Sequence, residues 1–318
     1  MNDMDFNALT AAIAPLNLRS CLISRQGELQ YEHYREARIP EEVAKVNSVT
    51  KSVLSALFCI ALDQGLLPEP ETPASVFFPR LAADRDARKG DITLAHLLTM
   101  SAGFDWTEFG GQNSFPRMTR APHWIDFVLE QPLAHAPGTR MEYNSGASQM
   151  LSAVLAQAAG MPVARFADLH LFGPLGIERY EWEQDPQGVH TGGFGLRLLP
   201  GDMLKFGLLY QQQGKWENAR LLSRDLLARS VKPAIAAKAP NRGRYAWHWW
   251  TDSFAESADG PNPPAPDYYY ARGFGGQYIY IVPVQDTVVV LTADKWRTDK
   301  PPTDVFRRHI APLLAGMR

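Results

Sequence analysis

The apolar positions of residues 49–62 form no single stripe. In Val49-Thr50-Lys51-Ser52-Val53-Leu54-Ser55-Ala56-Leu57-Phe58-Cys59-Ile60-Ala61-Leu62 they recur on nearly every side of a helical wheel, which predicts a helix enclosed in a core. Gly65 and Pro68 mark its end. Ahead of it, residues 20–24 and 28–34 read as two strands joined by the turn Arg25-Gln26-Gly27, a hairpin preceded by a short helix over 8–16. Helical patterns then dominate: 92–98 with Asp91 placed as a cap, 123–130, 145–159, 163–171, 200–213 and 223–230. Beyond them the character changes. Residues 244–251, 268–272, 277–282 and 287–292 are rich in β-branched and aromatic residues and read as strands, and 303–317 as a closing amphipathic helix.

Strands at both ends with helices between predict an α+β fold: one antiparallel sheet built from both termini, with a helical lobe inserted. The expected division is a single domain, its α/β lobe at about 1–80 and 200–318 and its helical lobe at about 81–199. Residues 259–266 form a Gly/Pro-rich loop and a candidate flap.

Composition narrows the function classes. The 318 residues are 45% apolar with a net charge of −2. That balance gives no electrostatic reason to expect nucleic acid or an anionic membrane as partner. Cys21 and Cys59 fit neither a disulfide framework nor a zinc site and read as buried thiols. The start, Met1-Asn2-Asp3-Met4-Asp5, lacks a basic n-region with an apolar run, and no apolar run reaches membrane-spanning length. The expectation is a cytoplasmic protein acting on a small molecule; the sequence leaves its oligomeric state unknown.

The candidate chemistry begins at the head of the core helix. Ser48 and Lys51 stand three residues apart, on one face of its first turn. As a plain N-cap, Ser48 would want Glu or Gln at position 51. A lysine there opposes the helix dipole, so capping explains the serine and not the lysine. A nucleophile with its own base explains both, because burial and the helix N-terminus lower a lysine pKa toward neutrality. Fifteen serines and nine lysines would produce roughly 0.4 such pairs by chance, so other residues must agree. Tyr143-Asn144-Ser145 joins an extended piece to a helix; taken alone, Tyr143 reads as structural. Gly273-Phe274-Gly275-Gly276-Gln277 opens a strand, and its glycines fit either a hairpin turn or a close approach to a ligand. His96 reads as a packed core residue. Nucleophile-elbow, H-E-x-x-H and phosphate-loop patterns are lacking in the sequence.

Together these three motifs, in this order, resemble the serine β-lactamase-related family of class C β-lactamases, D-alanyl-D-alanine peptidases, family VIII esterases and 6-aminohexanoate-dimer hydrolases. The resemblance runs over about 15–316 and takes in Ile92-Thr93-Leu94-Ala95-His96-Leu97-Leu98-Thr99-Met100-Ser101-Ala102-Gly103, Pro137-Gly138, Phe172-Gly173-Pro174-Leu175-Gly176-Ile177, Gly192-Gly193-Phe194-Gly195-Leu196 and Asp202-Met203-Leu204-Lys205-Phe206-Gly207.

The resemblance implies a β-lactamase/penicillin-binding-protein-like fold and no metal or organic cofactor. Ser48 would be acylated, Lys51 and Tyr143 would act as general base and acid, and the backbone N–H groups of Ser48 and Gln277 would form the oxyanion hole. Substrate would meet Ser145, Phe274, Gly275 and Gly276, with Trp106 and Tyr270 favouring an apolar acyl chain. Two departures stand out. Phe274-Gly275-Gly276 replaces the Lys-Thr-Gly whose lysine binds a substrate carboxylate, and Tyr143-Asn144-Ser145 replaces Tyr-Ser-Asn. Both point away from β-lactams and cell-wall peptides and toward a small carboxylic ester or amide, with weak cephalosporin turnover. The rivals are a β-lactamase or D-amino-acid peptidase, and a non-catalytic ligand-binding or sensor domain on the same fold.

Overall fold

The computed structural model describes residues 6–16, 18–255, 265–294 and 305–316. At the centre lies an antiparallel sheet of eight strands, labelled along the chain: β1 (Leu18–Arg25), β2 (Glu28–Tyr34), β3 (Ile235–Ala236), β4 (Arg244–Tyr245), β5 (Trp250–Asp252), β6 (Tyr268–Gly273), β7 (Gln277–Val282) and β8 (Thr287–Ala293). In space they run β2-β1-β8-β7-β6-β5-β4-β3. The first hairpin therefore joins the last strand, Cys21 pairing with Leu291 and Leu22 with Val290. Both chain ends build one sheet, in the α+β class expected.

Four helices fix the layers: α1 (Phe6–Ile13), α2 (Val49–Asp63), α3 (Ser145–Ala159) and α4 (Pro200–Gln211). Side chains alternate across a strand, so β7 presents Ile279 to α4 and Tyr278 and Tyr280 to the opposite face. Gly207 of α4 lies so close to the sheet that a Cβ there would sit 2.6 Å from Val288 Cγ1 and 2.8 Å from Ile279 Cγ2. On the other face Phe306 stacks on Tyr280, centroids 3.9 Å apart. Every residue of α2 from Val49 to Ala61 is buried, because the helix is packed against the sheet at β6 and β7 and against α3. Its all-round apolar pattern follows from that position.

Several local expectations change. The single strand expected over 244–251 is two, β4 and β5, because Ala246–Trp249 turns back on itself: the Ala246 N–H bonds the Trp249 carbonyl at 2.8 Å and His248 takes a φ of +59°. Thr93, not Asp91, caps the helix Leu94–Leu98, and half-buried His96 completes that cap by accepting the Thr93 N–H. A small sheet of Ala44–Lys45, Leu196–Leu198 and Glu181–Trp182 was not expected; its strands are two or three residues long, too short for a period. The candidate flap at 259–266 lies outside the described residues except for Ala265 and Pro266, as do the ends of the closing helix. Among the described residues no single helix is long and apolar enough to cross a membrane.

Candidate active site

Ser48 occupies the N-cap position of α2, yet its hydroxyl makes no capping bond. The preceding Asn47 holds a left-handed φ of +49°, and its carbonyl accepts the Thr50 hydroxyl at 2.6 Å. The Ser48 hydroxyl is thereby left to other partners. One turn on, Lys51 is 1% exposed. Its Nζ donates to Ser48 Oγ at 3.1 Å, Ser145 Oγ at 2.9 Å and the Gly193 carbonyl at 2.8 Å. Those contacts use all three protons of an ammonium. Gly193 has to be small: a Cβ there would stand 3.0 Å from Nζ.

Burial pulls the Lys51 pKa from 10.5 down to about 8, against the opposing pull of the Glu108 carboxylate. Near neutral pH a usable fraction is therefore free amine. Tyr143 stands beside Ser48, and burial pushes its phenol well above the usual range, with Glu108 acting in the same direction. It stays protonated and can donate. Its ring stacks on Trp250 at 5.9 Å, meets Tyr245 edge-on at 6.3 Å, and lies 4.7 Å from Lys51 Nζ. Asn144 caps α3 by accepting the Ala147 N–H at 3.1 Å, which sets Ser145 as the first helical residue facing Lys51.

These groups open into a cavity of about 170 Å3 that Ser48 and Tyr143 line on one side. Apolar wall comes from Trp250, Phe109 and Phe274. Phe109 is 70% and Phe274 50% exposed, and the two rings meet at 5.6 Å across the mouth. Polar wall comes from Glu108, Asn241 and Arg272. Arg272 donates to Asn241 Oδ1 at 2.8 Å and lies 5.8 Å from the Trp250 ring. Among the described residues no carboxylate forms an ion pair with it.

The structure thus brings Ser48, Lys51 and Tyr143 together, with Ser145 beneath them and Phe274 at the rim. It separates the others. Gln277 begins β7, pairs with Gly273, spends its side-chain amide on the Ala293 carbonyl at 2.6 Å, and lines a neighbouring cavity with Gly275. Gly275 and Gly276 have φ of +85° and +91°, so they serve the β6–β7 turn. Ser145, 2% exposed, holds Lys51 rather than lining the cavity, and Trp106, 3% exposed, gives its indole N–H to Glu108 at 2.9 Å. Tyr270 faces a different cavity that shares Asn241 and Arg272 with the first. Residues that sequence reasoning missed are Glu108, Phe109, Asn241, Trp250 and Arg272. Only Arg272 left a signal, being two positions before Phe274 and on the same strand face as Tyr268 and Tyr270.

His248 is no alternative base. It is buried, bonded to Ser148 Oγ at 3.0 Å and the Leu98 carbonyl at 2.8 Å, and burial lowers its pKa to about 3. Cys21 and Cys59 are free and buried, and burial raises each thiol to about 12.

An antiparallel sheet closed from both chain ends, with a Ser-x-x-Lys helix buried against it, defines the β-lactamase/penicillin-binding-protein-like fold. The chain belongs to the β-lactamase family, whose profile it matches over residues 20–311. D-alanyl-D-alanine-carboxypeptidase/endopeptidase AmpH of Escherichia coli is 25% identical over 187 residues, 52% of this chain and 48% of its own. Esterase EstB of Burkholderia gladioli is 31% identical over 178 residues, 49% of this chain and 44% of its own. The chain spans about half the length of these curated relatives. Among solved structures, EstCE1, a hydrolase with promiscuous acyltransferase activity, matches 97% of both chains with a TM-score of 0.76 at 16% identity. Members of the family are serine hydrolases that include an esterase and carboxypeptidases.

Proposed function

We propose that this protein cleaves small carboxylic esters or amides through an acyl-enzyme on Ser48. The observation that carries the reading is a fully buried lysine amine, with a pKa of about 8, standing 3.1 Å from an uncapped serine hydroxyl. Ser48 Oγ attacks the carbonyl carbon as its proton passes to the free amine of Lys51. The oxyanion is met by the Ser48 N–H at the head of α2 and by the Gln277 N–H, just past the β6–β7 hairpin tip at which Phe274 reaches the cavity. Asn47 steadies that tip by donating to the Phe274 carbonyl at 2.6 Å. As the C–O or C–N bond breaks, Tyr143 gives its proton to the leaving group and recovers one from Lys51. Water then attacks the acyl carbon, and the same groups run in reverse.

The test is a panel of p-nitrophenyl esters and anilides. Lys51→Ala should retain its fold and lose about 10²–10⁴-fold in kcat/KM. A folded variant with near wild-type turnover would remove lysine from the chemistry.

A second reading gains support from Arg272. The case for weak cephalosporin turnover assumed that no cation replaces the family's lysine. Arg272 supplies one in the cavity, beside Asn241 and without a carboxylate partner among the described residues. A guanidinium favours a substrate that carries a carboxylate, as β-lactams and peptide termini do. Arg272→Ala should raise KM for an acidic ester and spare its neutral analogue. Equal effects on both would remove this reading.

A further inference from the structure

Glu108 is the part of the cavity wall that the Ser–Lys–Tyr chemistry leaves unexplained. Its Oε2 accepts the Trp106 indole N–H at 2.9 Å and the Ser145 backbone N–H at 3.0 Å, while its Oε1 accepts the Ser145 hydroxyl. A hydroxyl has one proton to give. With that proton committed to Glu108, Ser145 Oγ can only accept from Lys51 Nζ, 2.9 Å away. The Gly193 carbonyl, 2.8 Å away, is also purely an acceptor. A free amine has two N–H bonds and one lone pair. Both N–H bonds are drawn to Ser145 and Gly193, and the lone pair is left facing Ser48 Oγ at 3.1 Å, where the serine proton must arrive.

We propose that Glu108 is a positioning residue: it fixes the direction of this hydrogen-bond chain and so aims the Lys51 lone pair at Ser48. The proposal rests on Ser48 and Lys51 acting as nucleophile and base.

Removing the anion lets the chain reverse. In Glu108→Gln, the Trp106 and Ser145 N–H donors hold the amide oxygen at the Oε2 position and turn the NH2 toward Ser145 Oγ. That hydroxyl then accepts from the amide and donates to the Lys51 lone pair, in direct competition with Ser48. Charge acts at the same place. Lys51 is faced by Glu108, by the Tyr143 ring at 4.7 Å and by buried neutral His248, with Arg272 beyond Tyr143. Of these, Glu108 is the group that supports the ammonium against burial. Its loss should move the lysine pKa further down.

The test is a double-mutant cycle of Glu108→Gln and Ser145→Ala, with pH profiles of kcat/KM on p-nitrophenyl butyrate. Glu108→Gln should cost on the order of 10²-fold at the plateau and shift the acid limb to lower pH. In the Ser145→Ala background no hydroxyl can turn round, and the same change should cost less than about threefold. Ser145→Ala alone removes one of the two acceptors that orient the amine, so it should lower kcat/KM while leaving the acid limb in place, an arm that does not need the Gln variant to fold. Additive losses in the cycle, an unmoved acid limb in Glu108→Gln, wild-type activity in Glu108→Gln, or wild-type activity in Ser145→Ala would each overturn the proposal. Lys51→Ala is measured alongside. If it keeps wild-type turnover, the nucleophile–base reading itself has failed; if it is inactive while the cycle is additive, only the role of Glu108 has.

Discussion

At the scale of single residues, the proposed chemistry depends on a lysine that is kept partly uncharged. In that proposal Lys51 accepts the serine proton only as a free amine, and burial sets its ionisation at about 8. Below this pH the ammonium has no lone pair, so kcat/KM for a neutral ester should climb with pH and level off above about 8. A rate that is flat from pH 6 to 9 would mean that another group takes the proton. Tyr143 is held protonated and in the proposed mechanism serves the leaving group. Tyr143→Phe should therefore slow an alkyl ester far more than a p-nitrophenyl ester, whose phenolate departs without a proton. Comparing kcat for the two leaving groups checks this.

The Ser48–Lys51 pair was legible because both members sit on one turn of one helix, where spacing fixes geometry. Glu108 was not. It reaches Ser145 from a loop 37 residues away that has neither helical nor strand periodicity. Asn241 likewise lies between elements, and nothing local announces that it meets Arg272.

At the scale of elements, period and length decided what could be read. Helix α3 has the bounds expected from its pattern, Ser145–Ala159, and β7 runs over Gln277–Val282 as its aromatic and β-branched residues indicate. The glycines between β6 and β7 were ambiguous, since a turn and a ligand contact ask for the same residue. Their positive φ values identify the turn, and the residue after them starts the returning strand. Phe274 and Arg272, on the outgoing side, line the cavity, and Gln277 lines its neighbour.

Contact between α4 and the sheet gives a prediction at this scale. With only 2.6 Å and 2.8 Å between a Cβ at Gly207 and the methyls of Val288 and Ile279, Gly207→Val must displace helix from strand. The variant should lose about 1–3 kcal/mol in urea unfolding. An unchanged midpoint would mean that the helix shifts without cost.

At the scale of the whole molecule, the fold bears a cost for its candidate site. A lysine whose pKa falls from 10.5 to about 8 on folding binds protons more readily in the unfolded chain. Its contribution to stability is unfavourable and constant below pH 8, and it shrinks as pH rises toward 10.5. Lys51→Met should therefore gain stability relative to wild type at pH 7 and lose that advantage near pH 10, while abolishing turnover. Tm against pH for both proteins would show the difference closing; a constant gap would deny that the buried charge is the cause.

Closure of the sheet by both termini was visible in the sequence as strands at the two ends of a helical middle. The cavity was not, because its walls come from six separate stretches, around Ser48, Glu108, Tyr143, Asn241, Trp250 and Arg272. The claim that joins fold to function is that Ser48 carries the acyl group. Rapid quenching during turnover of p-nitrophenyl butyrate, followed by peptide mass mapping, tests it most directly. A single butyryl adduct on the peptide containing Ser48, absent in Ser48→Ala and slow to form in Lys51→Ala, is the predicted result. An adduct on another residue, or ester hydrolysis that persists in Ser48→Ala, would contradict it.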